Sequence, residues 1–183
     1  GMKFSANGGT LNIGGIFDVT QTLSFVNDGA YVKIDYAVYN KTQVNHTVSL
    51  ASHTDVQIGG NDSAPIYITA TGVRMAEGTA STANQFNLIA KNAYGVTNVD
   101  CLWFGAYGSR FDNLWNTATT DMTGGDSGIA WGWKNRLIPA GGTQHFSVLL
   151  GIGKSAAPPQ LDGDIKAVVK GNQVDVTAKA KDT

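Results

Sequence analysis

Only one glutamate, Glu77, occurs in this 183-residue chain, against thirteen aspartates, eighteen threonines and twenty-three glycines. Glu is a good helix former, Gly and Asp are poor ones, and Thr suits pleated, half-buried surfaces. A chain that nearly excludes Glu and draws on Thr, Val, Ile, Tyr and Gly is built from strands and turns. The same shortage leaves fewer carboxylates for a paired-acid mechanism.

The strands can be placed by their period of two. Thr10–Ile13 and Thr20–Val26 are short candidates, and Asn27-Asp28-Gly29 after them suits a left-handed turn. Tyr31–Tyr39 is the cleanest strand, with Val32, Ile34, Tyr36 and Val38 on one face and Lys33 and Asp35 on the other. Asn40-Lys41-Thr42 turns the chain into Val44–Ile58, where Val44, His46, Val48 and Leu50 share a face. Ile66–Thr71, Phe86–Ala90 and Val99–Tyr107 follow. Residues 108–127 show no period and read as a long loop, a length that in compact domains is often functional. Ile129–Lys134 and Thr143–Ile152 are expected to form a hairpin around Pro139-Ala140-Gly141-Gly142. The sum is all-β: a two-sheet antiparallel sandwich with a C-terminal β-hairpin. Its predicted core is Val32, Ile34, Tyr36, Val48, Leu50, Phe146, Val148 and Leu150.

The sandwich is expected to occupy residues 1–155. Ala156-Ala157-Pro158-Pro159 reads as a short stiff linker. Ile165–Lys170 and Val174–Lys181 then alternate around Gly171-Asn172, one hairpin, too little to fold alone. Residues 156–183 thus read as that linker and the start of a second, immunoglobulin-like module. The lysines there fall at alternate positions and read as a solvated face. Gly1 before Met2 reads as a cloning scar.

Charge and cysteine narrow the function classes. A net charge of −1 gives nucleic acid or anionic lipid no electrostatic hold. No apolar run is long enough to cross a bilayer as a helix, so membrane insertion is not expected. Cys101 is single, so no intrachain disulfide forms, and beside Leu102 and Trp103 it reads as a small buried hydrophobe.

Several motifs imitate active sites. Gly125-Asp126-Ser127-Gly128, preceded by His53 and Asp100, follows the chain order of chymotrypsin-like proteases. Ile129 replaces a glycine of that motif, and His53 lacks the family's flanking residues. A turn opening a strand is the expected structure there. Gly151-Ile152-Gly153-Lys154-Ser155 copies the tail of a phosphate-binding loop, but Val148 stands where that loop needs glycine. His46 falls on the apolar face of its strand and reads as a satisfied core histidine. No cofactor is implied; calcium, through Asp55, Asp62, Asp112, Asp121 and Asp126, is the one metal left open. Trp131 and Trp133 share one strand face, and the small Ala130 and Gly132 opposite them point the tryptophans inward. Asn40, Asn45 and Asn61 each open an Asn-x-Ser/Thr triplet.

A ligand site, if present, is expected on the long loop. Tyr107, Arg110, Phe111, Asp112, Trp115 and Asn116 combine stacking faces with hydrogen-bonding groups, and His53 and Asp55 join them as candidates. The alternative is that Phe111 and Trp115 fold back and plug the open end of the sandwich.

Asp126-Ser127-Gly128-Ile129-Ala130-Trp131-Gly132-Trp133 through Gly153, together with Ser52-His53-Thr54-Asp55 through Ile66, resembles a β-sandwich module of large bacterial cell-surface and secreted proteins. There it precedes immunoglobulin-like repeats. The resemblance covers roughly residues 10–155. It implies an extracellular or cell-surface, non-catalytic role within a larger multidomain chain, structural or adhesive, with a glycan or a surface protein as partner. A second resemblance, through Val32–Tyr39, Asn40 and His53, is to galactose-mutarotase-like sandwiches. It implies the competing expectation of a carbohydrate-active enzyme, or a fragment of one, using His53 with Asp55 or Asp126.

Overall fold

The computed structural model describes residues 3–5, 7–78, 83–152, 160–170 and 173–181. The strands, in chain order, are β1 (Lys3–Ser5), β2 (Gly8–Ile13), β3 (Phe17–Val26), β4 (Tyr31–Asn40), β5 (His46–Val56), β6 (Ile66–Ile68) and β7 (Gly72–Ala76). They continue as β8 (Gln85–Ile89), β9 (Cys101–Ala106), β10 (Ser127–Ile138), β11 (Thr143–Ile152), β12 (Gln160–Lys170) and β13 (Gln173–Lys181). An eight-stranded antiparallel sheet runs β1-β2-β3-β4-β11-β8-β7-β6, and a three-stranded sheet runs β5-β10-β9. β12 and β13 pair as the C-terminal hairpin. The fold class is therefore the expected all-β two-sheet sandwich. The linker Ala156–Pro159, the Gly171-Asn172 turn, the side chains of the C-terminal lysines and the Gly153-Lys154-Ser155 end of the phosphate-loop imitation lie outside the described residues.

The core sits between the sheets because both inner faces follow the period of two. Tyr36 and Val38 of β4 meet Phe146 and Val148 of β11 on the large sheet, while Ile129, Trp131 and Trp133 of β10 project from the small one. Trp133 is fully buried, its ring centroid 5.3 Å from that of Phe146 and 6.0 Å from that of Tyr36. Its indole N–H donates to the Thr97 carbonyl at 2.8 Å. Both tryptophans thus point inward, as their small opposite neighbours require. Of the predicted core, Tyr36, Phe146 and Val148 are buried, Ile34, Val48 and Leu50 pack half-buried against them, and Val32 and Leu150 are half-exposed.

Three expectations are corrected. β10 and β11 are not a hairpin: they belong to different sheets, and residues 139–142 carry the chain from one to the other. A turn sequence specifies a reversal and leaves the partner strand open, and the twist of each sheet sets the layers apart. β1 and β7 carry no strand signature in the sequence, since Lys3–Ser5 is too short to show a period and Arg74 and Met75 break the β-branched pattern of β7. Val44 is exposed, because β5 begins only at His46.

Both crossovers meet at one residue. Asn40 ends β4 and is fully buried; its amide nitrogen lies 2.8, 3.2 and 3.0 Å from the carbonyls of Val44, Ile138 and Pro139, to which it donates. Its oxygen accepts from the Thr42 backbone N–H and hydroxyl. One side chain thereby ties the β4–β5 corner to the β10–β11 corner. A glycan cannot be attached to that nitrogen in the folded state, so the triplet at Asn40 is structural.

Candidate functional site

Phe111 and Trp115 do not plug the end of the sandwich: the first half of the long loop lies across the outer face of the three-stranded sheet, while Ala118 and Met122 further along pack against the core, Met122 bridging to Ile66 of β6. On that face β10 presents Gly128, Ala130 and Gly132, opposite in parity to its inward tryptophans. This strip of missing side chains is what the loop fills. A Cβ on Gly128 would stand 2.8 Å from Arg110 Cδ, and one on Gly132 would stand 3.1 Å from the Trp115 ring. The loop rests on bare backbone at these two places.

Each end of the segment is pinned. Tyr107, in a 3₁₀ turn over Tyr107–Ser109, donates its backbone N–H to the Asp126 carbonyl, closing the base of the loop. Arg110 folds back over Tyr107, its guanidinium 3.5 Å from the ring centroid and one N–H donating to the Tyr107 carbonyl at 2.6 Å. The Trp115 carbonyl accepts from the Cys101 thiol at 3.2 Å and from the Lys134 ammonium at 3.1 Å. Cys101 is buried, as its apolar neighbours suggested. Asn116 donates its amide to Asn113 Oδ1 at 2.7 Å.

Between these anchors the aromatics stay in water. Phe111 is 66% exposed and Trp115 is 40% exposed. The Phe111 ring meets His53 of β5 edge to face, centroids 5.6 Å apart. β5–β10 register pairs His53 with Ala130 and Asp55 with Gly128, which sets both β5 residues beside the loop. Asp112 is exposed. The structure therefore brings Tyr107, Arg110, Phe111, Trp115, His53 and Asp55 to one surface. It is a raised aromatic platform, with cations at Arg110 and Lys134 and a carboxylate at Asp55.

The protease-like set is dispersed. Ser127 is buried on the inner face of β10 and donates its hydroxyl to the Asp62 carbonyl at 3.2 Å. His53 lies on the outer face of β5, and Asp100 pairs with Arg136 at 2.8 Å. Gly125–Gly128 is the strand-opening turn expected. His46 is half-buried, 3.0 Å from the Thr42 hydroxyl and edge-on to Phe17, a satisfied packing residue. Among the described residues no three of His, Cys, Asp and Glu gather as a metal site, and Asp121 instead accepts from the Ile68 backbone N–H.

Two features escaped the sequence reading. On the outer face of the large sheet, Asp35 of β4 accepts from the Ser147 hydroxyl and lies 2.7 Å from His145 Nδ1. The serine donates to the carboxylate and not to the imidazole, so this grouping braces two strands and does not activate a nucleophile. The second feature is a cleft of about 460 Å³ where the sheets part, lined by Ile34, Val56, Phe86, Ile129, Trp131 and Leu150 among others. The buried Trp131 indole N–H finds no acceptor there. A cleft between sheets has no signal in a local period, because it depends on how far the layers splay.

No family model and no curated protein matches the chain. Among solved structures it is similar to heparan sulfate lyase HepC from Pedobacter heparinus, at 13% identity and a TM-score of 0.47, covering all of this chain and 27% of that one. It is also similar to a mutant of the same lyase, at 15% identity and a TM-score of 0.44, covering 99% of this chain and 26% of that one. This chain spans about a quarter of those chains. Likeness at this level carries no functional argument.

Proposed function

We propose that the chain is a non-catalytic β-sandwich module of a larger bacterial surface or secreted protein, and that it attaches to glycans through the outer face of its three-stranded sheet. The observation that carries this reading is the pair Phe111 and Trp115: Phe111 is exposed against His53, and Trp115 is exposed with its ring resting on Gly132. Flat aromatic faces suit the apolar C–H faces of sugar rings, and prepositioned ones bind without an ordering cost. His53, Asp55 and Arg110 beside them supply hydrogen-bonding groups for sugar hydroxyls. The non-catalytic half is supported by His53 itself: its ring meets Phe111, not a carboxylate, and sits on a raised surface, not in a concave pocket.

Titration of a glycan array with the wild-type chain and with Phe111→Ala and Trp115→Ala tests the reading. We expect both variants to lose glycan binding by about fivefold or more, on the scale of the roughly 1–3 kcal/mol that stacking a nucleic-acid base on one aromatic ring contributes, while Phe111→Ala keeps the wild-type melting temperature. Unchanged binding in both variants refutes the platform. Turnover of an oligosaccharide that is abolished by His53→Ala would instead establish the enzyme.

A further inference from the structure

The two sheets are unequal, and the smaller does not cover the larger. On β3 the inward positions are Phe17, Val19, Gln21, Leu23 and Phe25, because Val19 is in the core and the others share its parity. β5 lies over Phe17 at its start, His46 meeting that ring at 5.4 Å, and over Tyr36 of β4 further on, where Ser52 takes its hydroxyl hydrogen bond. β5 therefore crosses away from β3, and the inner face beyond it is bare. Phe25 is 78% exposed and Ile152, at the end of β11, is 76% exposed. Phe25 pairs with Val32, and Val32 with Leu150, so a cross-strand apolar row runs from β3 through β4 to β11 on a face that elsewhere is core. Beside this row β5 has β10 on one side and, among the described residues, no strand on the other. An uncovered apolar strip next to a long free edge is a place for strand addition.

The chain itself supplies the occupant. Ile152 and Val56 line the same cleft, so the polypeptide leaves the sandwich where the bare edge of β5 ends. Seven residues, 153–159, separate Ile152 from β12, a reach of up to about 25 Å at roughly 3.5 Å per residue. β12 starting from the Val56 end would run antiparallel to β5. In β12–β13 the register pairs Ala167 with Val176 and Val169 with Val174, apolar residues at both pairs. A two-stranded hairpin is marginal in water and needs an apolar surface to pack on.

We infer that the β12–β13 hairpin of this chain adds to the free edge of β5 and covers the Phe25–Val32–Leu150 row, completing the smaller sheet of the sandwich. The 156–183 segment is then part of this module and does not open a separate one.

Hydrogen exchange of the full chain, with light scattering of the same samples, tests this. In the monomeric wild type the amides of residues 160–170 and the edge amides of β5 should be protected. Phe25→Asp should reduce protection at 160–170 by about tenfold or more while β8 and β11 stay protected. Ile152→Asp, at the opposite rim, repeats the test should Phe25→Asp disturb the sandwich. Equal protection of 160–181 in the wild type and both variants would mean an independent hairpin and overturn the inference. Absence of protection at 160–181 in the wild type would overturn it too. Protection of β5 that appears only in dimers would assign the edge to a second copy, again overturning it.

Discussion

Replacing Asn40 by alanine should be among the most damaging single changes in this protein. The side chain is fully buried and holds five close polar contacts, donating toward three carbonyls and accepting from two groups of Thr42. Each net hydrogen bond contributes about 0.5–1.5 kcal/mol, and a buried group left without a partner costs about 1–3 kcal/mol. The amide has only two hydrogens, so the three donor contacts count as two bonds. The corner is partly wet, so Val44 and Pro139 can turn to water while the Ile138 carbonyl cannot. The expected loss is about 3–5 kcal/mol, a large part of the roughly 5–15 kcal/mol that holds a domain together. In urea, with a slope of about 2 kcal/mol/M, the midpoint should fall by about 2 M at unchanged slope. Asn40→Asp keeps the shape but sets a carboxylate against three carbonyl oxygens, so at pH 7 it should be worse than alanine. Its carboxyl would hold its proton more tightly in the folded state, so its deficit should shrink as pH falls and the O–H donor returns. A loss below about 1 kcal/mol for Asn40→Ala, or an Asp variant as stable as wild type at pH 7, would refute the stapling role.

The remaining predictions concern the core, the platform and pH. Phe146→Ala, at a fully buried ring packed on Trp133, should cost about 3–5 kcal/mol in denaturant unfolding. Gly128→Val places a Cβ 2.8 Å from Arg110 Cδ, so it should lift the loop off the sheet; limited proteolysis should then cut within 107–126 and glycan binding should fall. Burial pushes the Tyr36 phenol above its ordinary 10.0, with the bond to Ser52 pulling partly back. The folded state thus keeps the proton longer, so its contribution is fully present below pH 10 and is lost as pH rises beyond it. Tyr36→Phe should lose about 1 kcal/mol at neutral pH and show less alkaline destabilisation in melts between pH 9 and 11.

What the sequence made legible was what lies within one strand. The alternation of Val32, Ile34, Tyr36 and Val38 places the inner face of β4, and the small Ala130 and Gly132 fix Trp131 and Trp133 inward, because a side chain's face depends only on its parity. The aromatics of residues 107–116 were legible as a platform in composition but not in position. Their seat is the Gly128–Ala130–Gly132 strip, which in the sequence reads only as a poor core face; a strand face emptied of side chains also invites a loop to lie on it. What was not legible depends on pairings between distant segments. The Pro139–Gly142 turn looks the same whether it joins partners or changes layers, and only Asn40, ninety-eight residues from Ile138, distinguishes the two. The bare strip at Phe25 belongs to the same class. Phe25 continues the parity of Val19 and by local pattern should be core, yet it is exposed because β5 crosses to β4 before reaching it. A position that is core by period and exposed in three dimensions marks a missing layer. That is why the hairpin whose sequence repeats the same alternation is the natural candidate to supply it.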